Sequence, residues 1–384
     1  MTDVYGSSQY MKKVKALVHG PLLKALTWPR DRLRWMKPVS YSPVRVFYGF
    51  DRLPTQEDPI HGGIVKLLDL NPLYPNHISG ANILYLISSA LPLHAPRLVK
   101  FARSKGVKIV LNQNGLAYHG WYGKGWEKLN EPNLNVWRLC NYVFYQSQFC
   151  LDSARHFFGE TDVPGEVLYN TVDTAVFSPA ERDPAPGELV MIAAGSHHTF
   201  YRIKVAMDTL LMVSRAIPQV RMIIAGRYMW RPSEEEALKE ARQYAHLAGL
   251  DSRIEFLGSY SQLQAVQLLR RGHLLLHTKY NDPCPRLVVE ALSCCLPVIY
   301  SATGGVSELV GDGAGIGVPG PLDWDMDHPP APEKLAEAVV AIAGQRDAYA
   351  DEARRRAVMY FDIRRWLDRH HQVFRNLLAD EFVT

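Results

Sequence analysis

Short apolar runs alternate along the chain with longer stretches whose apolar residues recur every three or four positions. The short runs read as strands: Val44–Tyr48, Ile83–Ile87, Val107–Leu111, Val143–Tyr145, Leu189–Ala194, Met222–Ala225, Ile254–Leu257, Leu274–His277 and Val298–Tyr300. The longer stretches read as amphipathic helices: Ala95–Ser104, Ser147–Phe157, Val205–Ala216, Ser233–Ala248, Ser261–Arg270, Arg286–Cys294, Pro332–Gly344 and Arg364–Leu378. The run Val190-Met191-Ile192-Ala193-Ala194 has no polar face, as a strand covered on both sides requires. Strand and helix in alternation predict parallel sheets covered by helices. A polar, Pro-rich segment, Ser178 to Glu188, falls near the middle and is the best linker candidate. The expected fold class is α/β, with two Rossmann-like doubly wound domains facing across a cleft and a helical basic extension before them. The expected boundaries are 1–40 for the extension, 41–180 and 181–362 for the two domains, and 363–384 for a last helical segment.

The 384 residues are enough for two ordinary cores, and 47% hydrophobic with 21% charged residues is usual for a soluble protein. No apolar run reaches the length of a membrane span. No signal peptide is expected, because the first apolar patch, Ala16 to Trp28, is broken by His19, Gly20, Pro21 and Lys24. The five cysteines are odd in number and form no CxxC, so neither a disulfide framework nor a zinc site is predicted. A reducing cytoplasm is the simplest location. Residues 1–40 carry eight Lys or Arg against two Asp, which is +6 of a net +4 and leaves about −2 for the rest. That segment, with Trp28 and Trp35, is a candidate for peripheral contact with an anionic inner membrane surface. The favoured reading is plainer: a helical extension packed on the body, because Gly20-Pro21 and Pro29 interrupt the apolar spacing. No nucleic-acid partner is predicted, since no recognition motif accompanies the basic residues.

The segment from Asn281 to Val310 concentrates the chemistry. Carboxylates at Asp282 and Glu290 are separated by seven residues, and Gly304-Gly305 follows the next strand. Carboxylates accept hydrogen bonds from vicinal hydroxyls, while glycine amides and helix starts accept phosphate. Pro283 and Pro285 stiffen the loop and leave the amides of Arg286, Leu287 and Val288 at a helix start. Gly304-Gly305, with Ser301, Thr303 and Glu308 near it, reads as an amide nest. Together these make a cradle for a sugar nucleotide. Arg202 and Lys204 follow the strand Leu189–Ala194 and the loop that opens with Gly195-Ser196, where a diphosphate would lie. Each has a plainer reading. Glu290 is otherwise a structural salt bridge, Asp282 a helix cap, the two cations a solvated helix start, and the glycine pair a turn. No GxGxxG follows the first strand, which argues against a nicotinamide or flavin. No metal is expected. Asp323-Trp324-Asp325-Met326-Asp327 reads as an exposed acidic turn, and the pairs His197-His198 and His370-His371 lack a third ligand at suitable spacing.

These residues resemble the retaining family-4 glycosyltransferases of GT-B fold. The likeness is strongest from Phe256-Leu257-Gly258 through Val310. Weaker pieces are His61-Gly62-Gly63, Asn170-Thr171-Val172-Asp173 with Phe177-Ser178-Pro179, and Gly195 to Lys204. The resemblance implies that Glu290 holds a ribose diol and that Asp282 stands where most members have a glutamate gripping the donor sugar. It implies that Arg202 and Lys204 clamp the diphosphate, and that Gly62-Gly63 faces the donor phosphates and the acceptor. It implies an acceptor-binding first domain, a donor-binding second domain, and a last helix crossing back over the first. The implied donor is a nucleoside-diphosphate sugar. The acceptor is a hydroxyl on a glycan, a lipid-linked sugar or a small molecule, with no other cofactor.

Three departures stand out. Asp282 is one methylene shorter than Glu, about 1.5 Å less reach. Cys295 replaces the family's glycine before Leu-Pro, which predicts a reshaped helix end. Asn114 replaces a histidine, so an amide stands on the acceptor side. Nearby His119, in His119-Gly120-Trp121-Tyr122-Gly123, is a second acceptor-side candidate, in a loop that either stacks on an acceptor ring or packs on the first domain. A sugar phosphorylase or nucleotide-sugar epimerase, or a non-catalytic nucleotide-sugar-binding subunit, fits the same residues.

Overall fold

The computed structural model describes residues 29–36, 39–55, 62–183 and 185–381, so the first 28 residues of the basic extension lie outside it. Among the described residues two parallel sheets form. The first contains β1 (Val46–Phe47), β2 (Ile83–Ile87), β3 (Lys108–Gln113), β4 (Tyr142–Tyr145) and β5 (Gly165–Val167), in that spatial order. The second contains β6 (Leu189–His197), β7 (Val220–Tyr228), β8 (Ile254–Phe256), β9 (Leu274–His277), β10 (Val298–Ser301) and β11 (Gly315–Val318). Its spatial order is β11-β10-β9-β6-β7-β8. The chain therefore winds outward from β6 through β7 and β8, then returns to the other side of β6 as β9. That is the doubly wound arrangement, with its reversal between β6 and β9.

Both faces of each sheet are covered. Phe47, Leu84, Leu86, Ile109, Leu111, Val143 and Tyr145 point into one core with the helices Ala95–Ser104, Trp126–Trp137 and Gln148–Phe158. Val46, Ile83, Tyr85, Ile87, Val110 and Phe144 point into another with the helix Gly62–Leu70. The last helix, Ile363–Leu378, closes that second core with Trp366, Val373, Phe374 and Leu377. The C-terminal helix thus crosses back onto the first sheet. The crossing is fixed where Val172 and Asp362 pair as a short parallel bridge.

The start of the described chain and several elements differ in how far the sequence anticipates them. Trp35 is buried in the first domain's core, stacked edge-on to Phe47, with its Nε1 donating to the Ala81 carbonyl at 2.8 Å. Arg34 is buried against Asp31 and Asp51. Residues 29–36 therefore pack on the first domain, in keeping with the plainer reading of the extension. The strands β5 and β11 and the helices Gly62–Leu70, Trp126–Trp137, Val306–Val310 and Arg346–Tyr360 were not among the predicted elements. The segment after Ser178 is anchored on the second domain, where Asp183 meets His273 Nε2 at 2.8 Å and Arg346 at 3.0 Å.

His370 is fully buried in the second core of the first sheet, with Nε2 3.0 Å from the Tyr85 hydroxyl and Nδ1 2.8 Å from the Trp366 carbonyl. Burial, partly opposed by the Trp366 carbonyl, lowers its pKa to about 3. An unfolded imidazole binds its proton below about 6.5, whereas the folded one does so only near 3. The folded state is therefore favoured above the unfolded value and loses that advantage as pH falls. At pH 5 the loss is about 2 kcal/mol. The thermal midpoint is expected to drop between pH 7 and pH 5, and His370→Gln to flatten that slope; a slope unchanged in the variant refutes the assignment.

Candidate functional site

The reversal between β6 and β9 opens a crevice beyond the carboxyl ends of both strands. His197 ends β6, and the helix Tyr201–Ala216 begins four residues later. Arg202 lies in its first turn and is buried, 7% exposed. Its guanidinium donates to the Ser196 carbonyl, while its Nε has no partner among the described residues. Burial lowers the Arg202 pKa, and the nearby charge of Asp282 opposes that. His197 Nε2 lies 3.1 Å from the Ala225 carbonyl. Burial first, then the Arg202 charge, brings its pKa down to about 3, so the ring is neutral.

His277 ends β9, and its Nε2 lies 3.0 Å from Asp282 Oδ2. Lys279 Nζ lies 3.2 Å from the other oxygen, Oδ1. Burial would raise the Asp282 pKa, but Lys279, His277 and Arg202 together outweigh it and hold the carboxyl well below its usual range. The result is an ionised carboxylate with each oxygen held by a partner, just past the end of β9. Asp282 is not the cap of the next helix: that helix starts after Pro285 with no side-chain cap.

The helix Arg286–Ser293 carries Glu290 on the face that Arg286 shares, one turn apart. Glu290 Oε1 accepts from Arg286 Nε at 2.9 Å and from Gln262 Nε2 at 2.7 Å. Arg286 also pairs with Asp69 on the helix Gly62–Leu70, which belongs to the first domain. Gly195 has a φ of +110°, and a Cβ there would stand 3.8 Å from Leu287 Cδ2. The end of β6 therefore passes close to the start of this helix. Arg202 feels the charge of Asp282, and Tyr260 feels both Arg202 and Glu290, so the three charged side chains share one region.

A family profile described as Glycosyl transferases group 1 matches residues 181–327. That match covers most of the second domain. A D-inositol 3-phosphate glycosyltransferase of Mycolicibacterium smegmatis is 32% identical over 154 residues, 38% of this chain and 34% of that protein. A phosphatidylinositol N-acetylglucosaminyltransferase component of Arabidopsis thaliana is 28% identical over 147 residues, 38% of this chain and 31% of that one. The matched region thus spans about a third of the length of these relatives. Among solved structures, Anabaena HepE in complex with UDP-glucose superposes with a TM-score of 0.65 at 17% identity, covering 86% of this chain and 99% of that one. Sucrose-phosphate synthase from Thermosynechococcus elongatus superposes with a TM-score of 0.64 at 17% identity, covering 82% and 77%. The likeness establishes the GT-B fold.

Not every predicted residue reaches this site. Lys204 does not. Two positions along a helix turn the chain by about 200°, and its ammonium is held by Asp208 at 2.7 Å over the Tyr244 ring. Gly304 and Gly305 form a packed turn in place of an open nest. The Gly305 amide donates to the Asp282 carbonyl at 2.9 Å, and a Cβ on Gly304 would stand 2.5 Å from that same oxygen. The Val288 amide is likewise taken, by the Pro285 carbonyl at 3.1 Å. Ser196 receives Arg227 on its hydroxyl at 3.0 Å.

On the facing domain, Gly62 begins its helix, and a Cβ on Gly63 would collide with the Ser89 hydroxyl. The Asn114 amide donates to Ser88 Oγ at 2.8 Å, and its Oδ1 is buried without a partner among the described residues. His119 is exposed, with Nδ1 3.3 Å from the Asp325 carbonyl, and does not enter the cluster. The segment 323–327 is an acidic turn exposed at Asp325 and Met326, but it is more than that. It straps one domain to the other. Trp324 packs against Tyr118, Phe149, His156 and Phe157, and its carbonyl accepts from the Gly120 amide at 2.8 Å.

His277, Lys279, Asp69 and buried Lys66 were not singled out from the sequence. Lys279 carries the one local sign, three residues before Asp282. Lys66 lies near Cys284, Arg286 and Asp69, and burial brings its ammonium down to about 8. Among the described residues no cluster of His, Cys, Asp or Glu suits a metal ion, and no helix is long and apolar enough to cross a membrane.

The helix end at Cys295 keeps its form. Cys295 adopts φ +61°, and the Leu296 amide reaches back to the Ala291 carbonyl at 2.9 Å. That is the six-to-one bond of a left-handed helix stop. A side chain there is strained by roughly 1–2 kcal/mol. Cys295→Gly is expected to raise unfolding free energy by about 1 kcal/mol after the added chain entropy of glycine is discounted. Denaturant titration checks this, and a loss of stability contradicts it.

Proposed function

We propose that this protein is a retaining glycosyltransferase that moves a sugar from a nucleoside-diphosphate sugar to an acceptor hydroxyl. The observation that carries this reading is the convergence of one buried cation and two held carboxylates at a single switch-point crevice, Arg202 with Asp282 and Glu290. In the proposed complex Glu290 turns its second oxygen to the ribose diol. Asp282, kept ionised by Lys279 and His277, accepts hydrogen bonds from the donor sugar. Arg202 faces the diphosphate and stabilises the charge that grows on it as the bond from the anomeric carbon breaks. The acceptor oxygen bonds to that carbon from the same face, and its proton passes to the departing phosphate oxygen. Burial of the crevice between two domains excludes water as a competing acceptor.

Several features remain within the proposal. Uridine diphosphate is the first nucleotide to test, because a solved neighbour was crystallised with UDP-glucose. The acceptor side is the first domain near Asn114 and Gly62-Gly63. The acceptor itself is a glycan, a lipid-linked sugar or a small molecule. We place the protein in the cytoplasm; of residues 1–40, Trp35 and Arg34 are buried in the first domain and are not offered to an anionic membrane surface.

The test is a binding and turnover panel of nucleoside diphosphates and their sugars. Glu290→Ala is expected to weaken nucleotide binding by about ten- to a hundredfold. Arg202→Ala is expected to lower kcat by about a hundredfold. Lys204→Ala, remote from the crevice, should change either by no more than about twofold. Nucleotide affinity left intact in Glu290→Ala, or a large loss in Lys204→Ala, overturns the site. Binding without sugar transfer to any hydroxyl acceptor overturns the transferase reading.

A further inference from the structure

The start of the donor helix holds a charge that is not confined to its own domain. Arg286 uses Nε on Glu290 at 2.9 Å and its two terminal nitrogens on Asp69, one of them at 3.3 Å. Asp69 lies on the helix Gly62–Leu70 of the first domain. All three side chains are nearly buried: 8% exposed for Arg286, 10% for Asp69 and 7% for Glu290. A guanidinium removed from water needs its charge matched, and here one carboxylate comes from each domain. Glu290 Oε1 is occupied twice, by Arg286 and by Gln262 at 2.7 Å. No described residue bonds Glu290 Oε2. Both bonds fall on Oε1, so this pair orients the carboxylate and Oε2 is left without a bond among the described residues.

We infer that Asp69 is a positioning residue for the nucleotide site, acting through Arg286 on Glu290, so that the grip on the donor is complete only when the two domains are together. The inference rests on the reading of Glu290 as the acid that holds the nucleotide. In an opened cleft Arg286 would keep Glu290 alone. The guanidinium would then be free to swing, and Glu290 would lose its fixed plane. With the cleft shut, Asp69 pins two nitrogens of Arg286 and leaves Nε as the one that faces Glu290. Domain closure and nucleotide affinity are then linked, each favouring the other.

The experiment is a double-mutant cycle on the full chain, read by calorimetric binding of uridine diphosphate and by the donor KM and kcat. Asp69→Asn is expected to raise the nucleotide Kd and the donor KM together by about tenfold, and Asp69→Glu to recover part of the loss. In an Arg286→Leu background the Asp69→Asn change is expected to add less than about twofold. X-ray scattering of the nucleotide-bound protein should show a larger radius of gyration for Asp69→Asn than for wild type. A structural role for Asp69 alone would lower the thermal midpoint and leave these readouts unmoved. Effects of Asp69→Asn and Arg286→Leu that simply add, or a wild-type Kd in Asp69→Asn, overturn the inference. If instead Glu290→Ala binds nucleotide normally, the underlying site is wrong as well; loss in Glu290→Ala with additivity at 69 and 286 removes only the link between domains.

Discussion

Three successive carbonyls carry the junction on which this structure depends. Asp282 accepts from the Gly305 amide at 2.9 Å, Pro283 from the Ser147 hydroxyl at 2.6 Å, and Cys284 from Asn170 Nδ2 at 2.5 Å. Prolines at 283 and 285 remove two amide donors from the same stretch, so the loop is mostly an acceptor. Buried carbonyls must find donors. Here Gly305 supplies one from the loop's own domain, Ser147 one from the facing domain, and Asn170 one from the segment between them. The same loop carries Asp282. A single backbone segment therefore positions the carboxylate and sets how the two domains meet.

Around that junction the contacts are reciprocal. Glu308 of the second domain accepts from the Gln148 and Phe149 amides at 2.6 and 2.9 Å, capping a first-domain helix whose own cap is Ser147. Trp324 fills an aromatic seat on the same helix. Gly115 has no room for a Cβ, which would come within 2.7 Å of Pro283. Polar capping, aromatic packing and close backbone approach thus converge on one narrow strip between the sheets. The buried Asp69–Arg286–Glu290 chain runs along the same strip, with its charge balanced across it.

How far the sequence could be read follows from how local each cause is. The strand at β9 and the helix Ala95–Ser104 match their predicted bounds, because apolar periodicity alone defines them. β5 and β11 are short and contain glycine, so they have little pattern to detect. The helix Arg346–Tyr360 buries only Ala353 and Ala357, and Trp126–Trp137 carries Pro132 inside it. The placement of Glu290 was legible because an acid inside an apolar helix demands a partner. Which of Arg202 and Lys204 faces inward was not, since helix phase is set by how β6 delivers the chain. The ion pair between Asp69 and Arg286 joins residues 217 apart, which no local pattern records.

The two sheets differ in one topological respect. The second reverses its strand order and so owns a crevice, whereas the first runs β1 to β5 in sequence without a reversal among the described residues. A sheet of that kind has no pocket fixed by its own winding. Whatever it recognises must be shaped by the loops at its strand ends, such as those bearing Gly63, Ser88 and Asn114. Loops can be exchanged without disturbing the packed strands beneath them. Changes in those loops can thus reshape the first domain's surface while the crossover that frames the second domain's site stays as it is.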